Sequence, residues 1–244
     1  MSAKPFSSVW TRERKGTREQ GLSRAQIVRA AVELLDAEGL DALSMRKLAA
    51  RLGAGATSLY WHVANKDELI ELVMDEVYAG VVLPEAADWR EMASAFAYGM
   101  RQAVFDHPWS ASLIGTVPGL GPNALTAADR LMGAFMRAGF EGVDVDYAMT
   151  AVVSYTLGAT IPEVAFLSSL KATGRSMEEL RATVDPIVTK LAADRPNLLE
   201  HYRCYQQDYD LLVARRLAFD YGLTALLDGL GARLRRQDGP GAGT

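Results

Sequence analysis

The chain has 244 residues, of which 49% are hydrophobic and 23% are charged, and its 26 basic and 30 acidic side chains give a net charge of −4. This balance is typical of a globular protein with a buried core, and it excludes a disordered or collagen-like chain. The single cysteine, Cys204, excludes an intramolecular disulfide and a cysteine-based zinc cluster. The average charge gives no sign of a polyanionic partner.

The start of the chain lacks the apolar run of a signal peptide, because charged residues are scattered through the first 22 positions. Two longer stretches are free of charge. Residues 147–162 are shorter than the ~20 residues that a membrane span needs, and residues 107–128 are interrupted by prolines. We therefore expect no membrane segment and a cytoplasmic protein.

Apolar residues recur at steps of three and four along most of the chain, which is the helical period, so the sequence predicts an all-α protein. The Ser-x-x-Gln segment that starts at Ser23 has the form of a capping box. It predicts a first helix over about 24–38, ended by Gly39. Ser44 is expected to cap a short second helix over about 45–52.

A glycine-containing turn separates the second helix from residues 56–62, which are long enough for two helical turns. Asn65 is expected to cap a fourth helix over about 66–80, with acidic residues in its first turn where the helix dipole favours them. Further helices are predicted near 88–106, 124–138, 144–169 and 208–235. The third of these should be kinked at Pro162, and residues 171–207 show only interrupted helical patterns.

Two short helices joined by a tight turn, the second rich in Thr, Ser, Tyr, Trp and His, are typical of a helix-turn-helix that reads the major groove of DNA. A helical hairpin inside a larger bundle would show the same pattern. The distribution of charge favours DNA. Residues 1–66 hold eleven basic and six acidic side chains, a net +5, and the other 178 residues hold 15 basic and 24 acidic ones, a net −9.

The predicted DNA contacts each have a chemical reason. Arg46, near the start of the second helix, has the forked donors that pair with guanine. Thr57 and Ser58 are short enough to let the third helix approach the groove closely. The expected phosphate contacts are Tyr60, His62 and Lys66.

Five segments carry a resemblance to a known family. They are Ile27-Val28-Arg29-Ala30-Ala31, Gly39-Leu40, Ser44-Met45-Arg46-Lys47-Leu48-Ala49, Leu59-Tyr60-Trp61-His62-Val63 and Asn65-Lys66-Asp67-Glu68-Leu69. Together they resemble the DNA-binding domain of the TetR family, and the Tyr-Trp-His-Val form is closest to its tetracycline-repressor branch. Near the other end, residues 219–230 resemble the last dimerisation helix of that branch.

The resemblance implies a homodimer of all-helical subunits that binds a palindromic operator and is released by a small molecule in the C-terminal domain, without a cofactor. At matching positions it places Arg46 at a base, Thr57 and Ser58 on the groove face, and Tyr60, Trp61, His62 and Lys66 at the DNA backbone.

Some of these positions have a second interpretation. Trp61 is either a backbone contact or a core aromatic, whereas Leu59 and Val63 are predicted core residues. The sequence departs from the family pattern at Gly55 and Ala56. We expect this departure to weaken the third helix, because glycine costs ~1 kcal/mol relative to alanine within a helix.

We expect four segments, namely a basic flexible leader (1–22), a DNA-binding domain (23–68), a ligand-binding and dimerisation domain (69–236) and a disordered tail (237–244). The leader contains Phe6, Val9 and Trp10 among its cations. It is predicted either to fold across DNA or onto the first helix, or to be disordered.

One face of the last predicted helix is nearly flat, which lets another helix approach closely. The candidate dimer-interface residues on and beside this face are Ala214, Ala218, Gly222, Ala225, Leu226 and Gly229. Two helices from each subunit would form a four-helix interface, with the helix near 144–169 as the partner. Packing within one subunit would explain the same stripe.

A ligand pocket is expected between the helices of the C-terminal domain. The candidates are Phe96, Met100, Phe105, His107, Trp109, Met132, Phe135, Met136, Met149, Tyr155 and Phe166. A core position is the alternative for each apolar candidate, and His107 is expected to bridge a helix end rather than bind a metal. The tetracycline repressor holds a magnesium-chelated drug through histidine. No equivalent histidine is found in this sequence, so tetracycline is not the expected effector.

The sequence therefore predicts a DNA-binding repressor that is released by a small molecule. An activator of the same fold is the alternative, because the sequence does not distinguish the two. An all-α enzyme is the alternative from another class, but the chain has no Glu-x-x-His pair for a di-iron bundle, no metal-spaced histidines and no glycine-rich phosphate loop. We expect no catalytic residues and no metal.

Overall fold

The structure, a computed structural model, describes residues 8–11, 22–206 and 210–237. All regular secondary structure within these ranges is helical, as predicted. The α-helices are α1 Arg24–Glu38, α2 Met45–Arg51, α3 Ala56–His62, α4 Lys66–Ala79, α5 Trp89–Asp106, α6 Pro122–Arg137, α7 Val143–Thr173, α8 Met177–Leu191, α9 Pro196–Gln206 and α10 Leu211–Gln237. Short 3-10 turns cover Leu40–Ala42 and Pro108–Ser112. Residues 1–157 and 158–244 form two compact units, and the boundary between them falls inside α7.

Local capping places the first four helices within one residue of their predicted bounds. The Ser23 hydroxyl accepts a hydrogen bond from the backbone N–H of Gln26, whose side chain accepts one from the N–H of Ser23, and this completes a capping box. α1 ends at Gly39, whose φ of +79° favours glycine. The side chains of Ser44 and Asn65 each accept from the backbone N–H three residues further on, and so cap α2 and α4.

The first four helices share one core. Its fully buried side chains are Ile27, Leu34 and Leu35 of α1, Leu48 of α2, Leu59 and Val63 of α3, and Leu69 and Val73 of α4. Burying a side chain of this size contributes about 1.5–3 kcal/mol, so this core is a major source of stability for α1–α4. The core positions predicted for Leu59 and Val63 are confirmed.

A second core lies between α5 and α6 and contains an aromatic cluster. The ring of Phe135 lies 5.8 Å from that of Trp89 and 5.2 Å from that of Phe140, and Trp89 and Phe140 are 5.7 Å apart. The two pairs that involve Phe140 are edge-to-face, and such pairs at these centroid distances are favourable beyond the area that they bury. The cluster fixes the C-terminal half of α6 against the start of α5.

The N-terminus of α6 is capped by a residue of another helix. Asp75 of α4 is only 6% exposed, and its carboxylate accepts hydrogen bonds from the backbone N–H of Ala124 at 3.0 Å and of Asn123 at 3.3 Å, and from the Asn123 amide at 3.0 Å. Gly121, the N-cap residue, makes no side-chain cap. A buried carboxylate at this end of a helix also faces the positive end of the helix dipole.

Residues 171–207 were left unassigned by the sequence, and the described part of this stretch, 171–206, contains the end of α7 and two further helices. α7 ends before Gly174, whose φ is +65°, and Ser176 then begins α8 with a second capping box. Pro186 lies inside α8, and Pro196 occupies the first position of α9, where its missing N–H has no cost. The prolines therefore interrupt the sequence pattern without ending α8.

α7 is a single helix of 31 residues that contains Pro162. Among the described residues it is the one helix that is long and apolar enough, by length and composition, to cross a membrane, a test that core helices also pass. The helix predicted near 144–169 is present and extends four residues further, past the proline to Thr173.

Gly121 should not tolerate a larger residue. A Cβ atom at this position would lie 2.2 Å from the Asp75 carboxylate, so Gly121→Ala has to displace the buried cap of α6. We expect Gly121→Ala to lower the free energy of unfolding by about 2–3 kcal/mol, measured by urea denaturation.

Gly119→Ala is the matched control. A Cβ at position 119 would meet Ala124 at an ordinary 3.7 Å, so this variant should unfold close to the wild-type midpoint. Equal stability of the two variants would contradict the role of Asp75 as a fixed cap.

Candidate nucleic-acid interface

The turn between α2 and α3 has the geometry of a helix-turn-helix. Gly53 adopts a φ of +61°, and the N–H groups of Gly53 and Ala54 donate to the carbonyl groups of Ala50 and Ala49 at the end of α2. These bonds satisfy the last carbonyls of α2 and turn the chain sharply. The tight turn predicted at this glycine is therefore present.

α3 has one buried face and one exposed face. Leu59 and Val63 are 0% exposed, whereas Trp61 is 68% exposed and Tyr60 is half exposed. Thr57 and Ser58 are exposed as well. The alternative interpretation of Trp61 as a core aromatic is wrong, because the inward-facing positions are filled by Leu59 and by Val63, which directly follows α3.

The two cations predicted to bind DNA lie at helix starts. Arg46 is exposed in the first turn of α2, and Lys66 is the first residue of α4 and half-buried. The start of α4 is held by the Asn65 cap, and Glu68 accepts a hydrogen bond from the N–H of Ala64 at 2.9 Å. His62, the last residue of α3, is half-buried beside this junction.

Gly55 weakens α3 less than the sequence predicts. It is the N-cap residue of α3 and lies outside the helix, so the cost of glycine within a helix does not apply to it. Its effect is that α3 has no side-chain cap, and glycine at an N-cap costs only a few tenths of a kcal/mol relative to Ser or Asn.

Two of the cations counted toward the net +5 are paired within the domain. Lys47 forms an ion pair with Glu38, and Arg51 lies 3.4 Å from Glu33, so both bridge α2 to α1. These side chains are about half exposed, and pairs of this kind contribute little to stability. They do reduce the positive charge that α2 offers to DNA.

Part of the leader is anchored on α4. The Ser8 hydroxyl donates to the carboxylate of Glu71, and the N–H of Val9 donates to the same oxygen at 3.2 Å. Ser8 and Val9 are buried, and Thr11 closes a turn back to Ser8. The sequence did not predict this contact with α4, and residues 8–11 are ordered by it rather than disordered. Folding of the leader across DNA or onto α1 concerns the DNA-bound protein and stays a prediction. Residues 1–7, with Phe6, and 12–21 of the leader lie outside the described ranges, as do residues 238–244 of the predicted tail.

The predicted pocket residues occupy different environments. Phe96, Met100, Trp109 and Phe135 are buried, the last in the aromatic cluster, and Met136 is exposed. Those that are half-buried are Phe105, Met132, Met149, Tyr155 and Phe166. The guanidinium of Arg101 stacks on the ring of Phe105, and that of Arg215 stacks on Phe166.

Three cavities in the described ranges are lined by other residues. One of about 30 Å³ lies beside α4, between Glu71, Asp75 and Tyr78 and the loop 114–121. Burial, followed by the charge of Asp75, raises the pKa of Tyr78 above its usual value and keeps its hydroxyl protonated. Sequence reasoning missed the α4 residues because they fit an ordinary amphipathic pattern.

The other two cavities are larger. One of about 100 Å³ adjoins Tyr78 and Arg130, and one of about 580 Å³, within residues 158–244, is bordered by Leu199 and Arg203. None of the eleven pocket candidates lines these three cavities. The ligand pocket therefore stays a prediction.

His107 bridges two parts of the chain, as expected. It ends α5, and its Nδ1 lies 2.8 Å from the Asp36 carboxylate on α1. Within residues 8–11, 22–206 and 210–237, no group of three or more His, Cys, Asp or Glu side chains is placed to hold a metal ion.

The face of α10 predicted to form a dimer is open in the single chain. Ala218, Ala225 and Gly229 are exposed, whereas Ala214, Gly222 and Leu226 are half-buried. Two large apolar side chains on the same helix, Leu217 and Tyr221, are 56% and 80% exposed. The opposite face is buried through Phe219, Leu223, Leu227 and Leu230.

The geometry defines a helix-turn-helix DNA-binding protein, and comparison with known proteins identifies its family. The sequence-family model for bacterial regulatory proteins of the tetR family matches residues 27–73. The sequence-family model for the tetracyclin repressor-like C-terminal domain matches residues 83–234. The chain belongs to the TetR family of transcriptional regulators, a class of regulatory proteins rather than of enzymes.

Individual relatives agree with this assignment. An HTH-type transcriptional regulator of Saccharopolyspora erythraea is 38% identical over 92% of each chain. The class A tetracycline repressor of transposon 1721 from Escherichia coli is 32% identical over 89% of this chain and 95% of the relative. The Streptomyces coelicolor TetR family protein ActR, solved in complex with actinorhodin, has a TM-score of 0.71 and 29% identity, over 88% of this chain and 99% of ActR.

The cap of α4 supports the junction between α3 and α4. Asn65→Ala removes the acceptor for the N–H of Glu68, and we expect the free energy of unfolding to fall by about 1 kcal/mol in urea denaturation. Asn65→Ser keeps a capping oxygen and should remain close to wild type. If both variants unfold at the wild-type midpoint, the cap does not stabilise α4.

Proposed function

We propose that this protein is a transcriptional repressor that binds a palindromic operator as a homodimer and releases it when a small molecule binds to its C-terminal domain. The observation that carries the DNA-binding part is the division of α3, with Leu59 and Val63 wholly buried and Trp61 and Tyr60 exposed. The buried face anchors this two-turn helix to the domain, so its exposed side chains are available to enter the major groove of DNA.

The DNA contacts divide by chemistry. Arg46 reads a base, because its fork can donate two hydrogen bonds to guanine. Thr57 and Ser58 lie on the groove face, and the backbone contacts are Tyr60, Trp61, His62 and Lys66. Lys66 is well suited to a phosphate because it stands at the start of α4, where the helix dipole also favours an anion.

The dimer forms through α10. Large apolar side chains are seldom left exposed side by side in a monomer, and Leu217 and Tyr221 are separated by one helical turn. The small residues Ala214, Ala218 and Ala225 beside them allow a second helix to approach closely. A two-fold dimer would place the recognition helices about 34–36 Å apart, one turn of DNA, and would account for a palindromic operator.

The division into a DNA-binding domain (23–68) and a ligand-binding and dimerisation domain (69–236) belongs to this proposal. The family matches over 27–73 and 83–234 support it. As a regulator that acts on bacterial DNA, the protein would work in the cytoplasm.

The effector acts through α6 and α4. Its expected class is a moderately hydrophobic small molecule, because the candidate pocket residues are mostly aromatic and methionine side chains. Asp75 of α4 caps α6, and the same helix starts at Lys66 on the DNA side, so a shift of α6 is transmitted to the DNA contacts. The effector releases DNA only as far as it prefers the state that does not bind DNA.

Operator binding should depend on Arg46 and Lys66 in different ways. In gel-shift titrations with palindromes from the DNA around its own gene, Lys66→Ala should weaken all sequences alike and reduce the slope of log affinity against log salt by about 1. Arg46→Ala should cost about 1–3 kcal/mol and relax the preference at one base pair.

Lys171→Ala removes one exposed positive charge from α7 and serves as the control for net charge. It should leave the affinity and the salt dependence close to wild type. If no palindrome near the gene binds the wild-type protein, the repressor proposal is wrong.

The dimer proposal predicts that a charge at position 217 separates the subunits without unfolding them. Leu217 is exposed in the single chain, so Leu217→Asp disturbs stability only through a covering partner. Light scattering should give a dimer for wild type and a monomer for Leu217→Asp. Val82→Asp, at an aliphatic residue that is 82% exposed in the other unit, should remain dimeric. A monomeric wild type would exclude the dimer.

A further inference from the structure

The carboxylate of Asp36, an exposed residue of α1, contacts two rings from a distant part of the chain. One carboxylate oxygen accepts a hydrogen bond from the indole N–H of Trp109 at 2.7 Å and lies 2.8 Å from Nδ1 of His107. The Asp36 side chain is 35% exposed and the His107 side chain 25%, while Trp109 is buried. This contact joins the DNA-binding helices to the end of α5.

The chemistry of the contact fixes its direction. An indole N–H is a donor only, and an ionised carboxylate is an acceptor only, so Trp109 and Asp36 have a single way to pair. The His107 ring reinforces the pair when its Nδ1 carries a proton. Hydrogen bonds to a charged acceptor are shorter and stronger than those between neutral groups, and 2.7 Å is typical of them.

Backbone hydrogen bonds around His107 and Trp109 position the two rings independently of Asp36. His107 ends α5, with its N–H donating to the carbonyl of Ala103 at 3.0 Å, and Pro108 starts a 3-10 turn. The N–H of Ser110 donates back to the His107 carbonyl at 2.9 Å, and Ser110 is fully buried. Backbone hydrogen bonds therefore hold the His107–Trp109 turn in the position where it contacts Asp36.

The position of the Asp36 contact with His107 and Trp109 suits it to orienting the DNA-binding helices. Within residues 1–157, α1 packs on α4 and α1 to α3 continue directly into that helix, so α4 is their main connection to α5 and α6. Asp36 supplies a second attachment, on a different helix and 30 positions before Lys66. Two separate attachments fix an orientation that one does not.

We propose that Asp36 is a positioning residue for operator binding, and that its pairing with Trp109 and His107 fixes the orientation of α1–α3 relative to α5. This inference rests on the proposed function. Without the pairing, α1–α3 sample more orientations and the fraction competent to bind the operator falls, which reduces the apparent affinity by the same factor.

The test compares Asp36→Ala, Asp36→Asn and Trp109→Phe in the full chain. Asp36→Ala should weaken operator binding about tenfold, although loss of an acidic residue near DNA would by itself strengthen it. Asp36→Asn keeps an acceptor oxygen and should stay within about threefold of wild type. Trp109→Phe should resemble Asp36→Ala, and the double variant should be no weaker than either single one.

Asp41→Ala is the matched control, because it removes an exposed acidic residue of the same domain. It should bind the operator as well as wild type or better. The salt dependence of Asp36→Ala should equal that of wild type, since Asp36 contacts no phosphate. If Asp36→Ala only lowers the melting temperature and binds the operator like Asp41→Ala, its role is structural and the proposal is overturned.

A distance measurement separates this inference from the proposed function. Spin labels at Ser58→Cys and Asp129→Cys, in a Cys204→Ser background diluted with unlabelled protein, report the position of α3 relative to α6 without DNA. Asp41→Ala should keep the wild-type distance distribution, and Asp36→Ala should broaden it. An unchanged distribution in Asp36→Ala overturns the proposal even if operator binding is established. A broadened one supports it even if no operator is found.

Discussion

The first 157 residues are organised by a row of carboxylates on one face of α4. Glu68, Glu71 and Asp75 stand at steps of three and four, and each accepts from backbone N–H groups of a different segment. Glu68 accepts from Ala64 in the turn before α4, Glu71 accepts from Val9 in the leader, and Asp75 accepts from Ala124 at the start of α6. Glu68 and Asp75 are buried, and an unpaired buried carboxylate costs several kcal/mol. The segments that pair with these two acids are therefore confined to the positions that satisfy them.

Local features of the fold were predictable from the sequence, and distant pairings were not. Ser23, Ser44 and Asn65 cap their helices through residues three positions away, so a short motif is sufficient to find them. Asp36 meets Trp109 across 73 positions, and Asp75 meets Ala124 across 49. No local pattern marks such a pair, and an acid on an amphipathic helix is ordinarily assigned to solvent.

The same limit applies to the candidate DNA site. The alternation of Leu59 and Val63 with exposed residues follows from the helical period, and the family resemblance made the side chains of α3 the candidate DNA contacts. The net charge of +5 overstated what α2 offers to a phosphate, because Lys47 and Arg51 pair with acids of α1. Pairing depends on how two helices cross, and a count of charges along the chain does not contain that information.

The row on α4 also constrains how a ligand signal could travel. A hydrogen-bonded buried carboxylate is satisfied in one arrangement and costly in intermediate ones, so α6 and α4 should move together rather than slide past each other. Coupling between binding sites is reciprocal. An operator that holds α4 in place therefore opposes any ligand that needs α6 to move. The free energy of this opposition equals the free energy with which the ligand opposes operator binding. The Asp75 cap and the packing of α4 against α6 together limit the free energy that this route can transmit, since a larger demand would separate the two helices before it displaced α4.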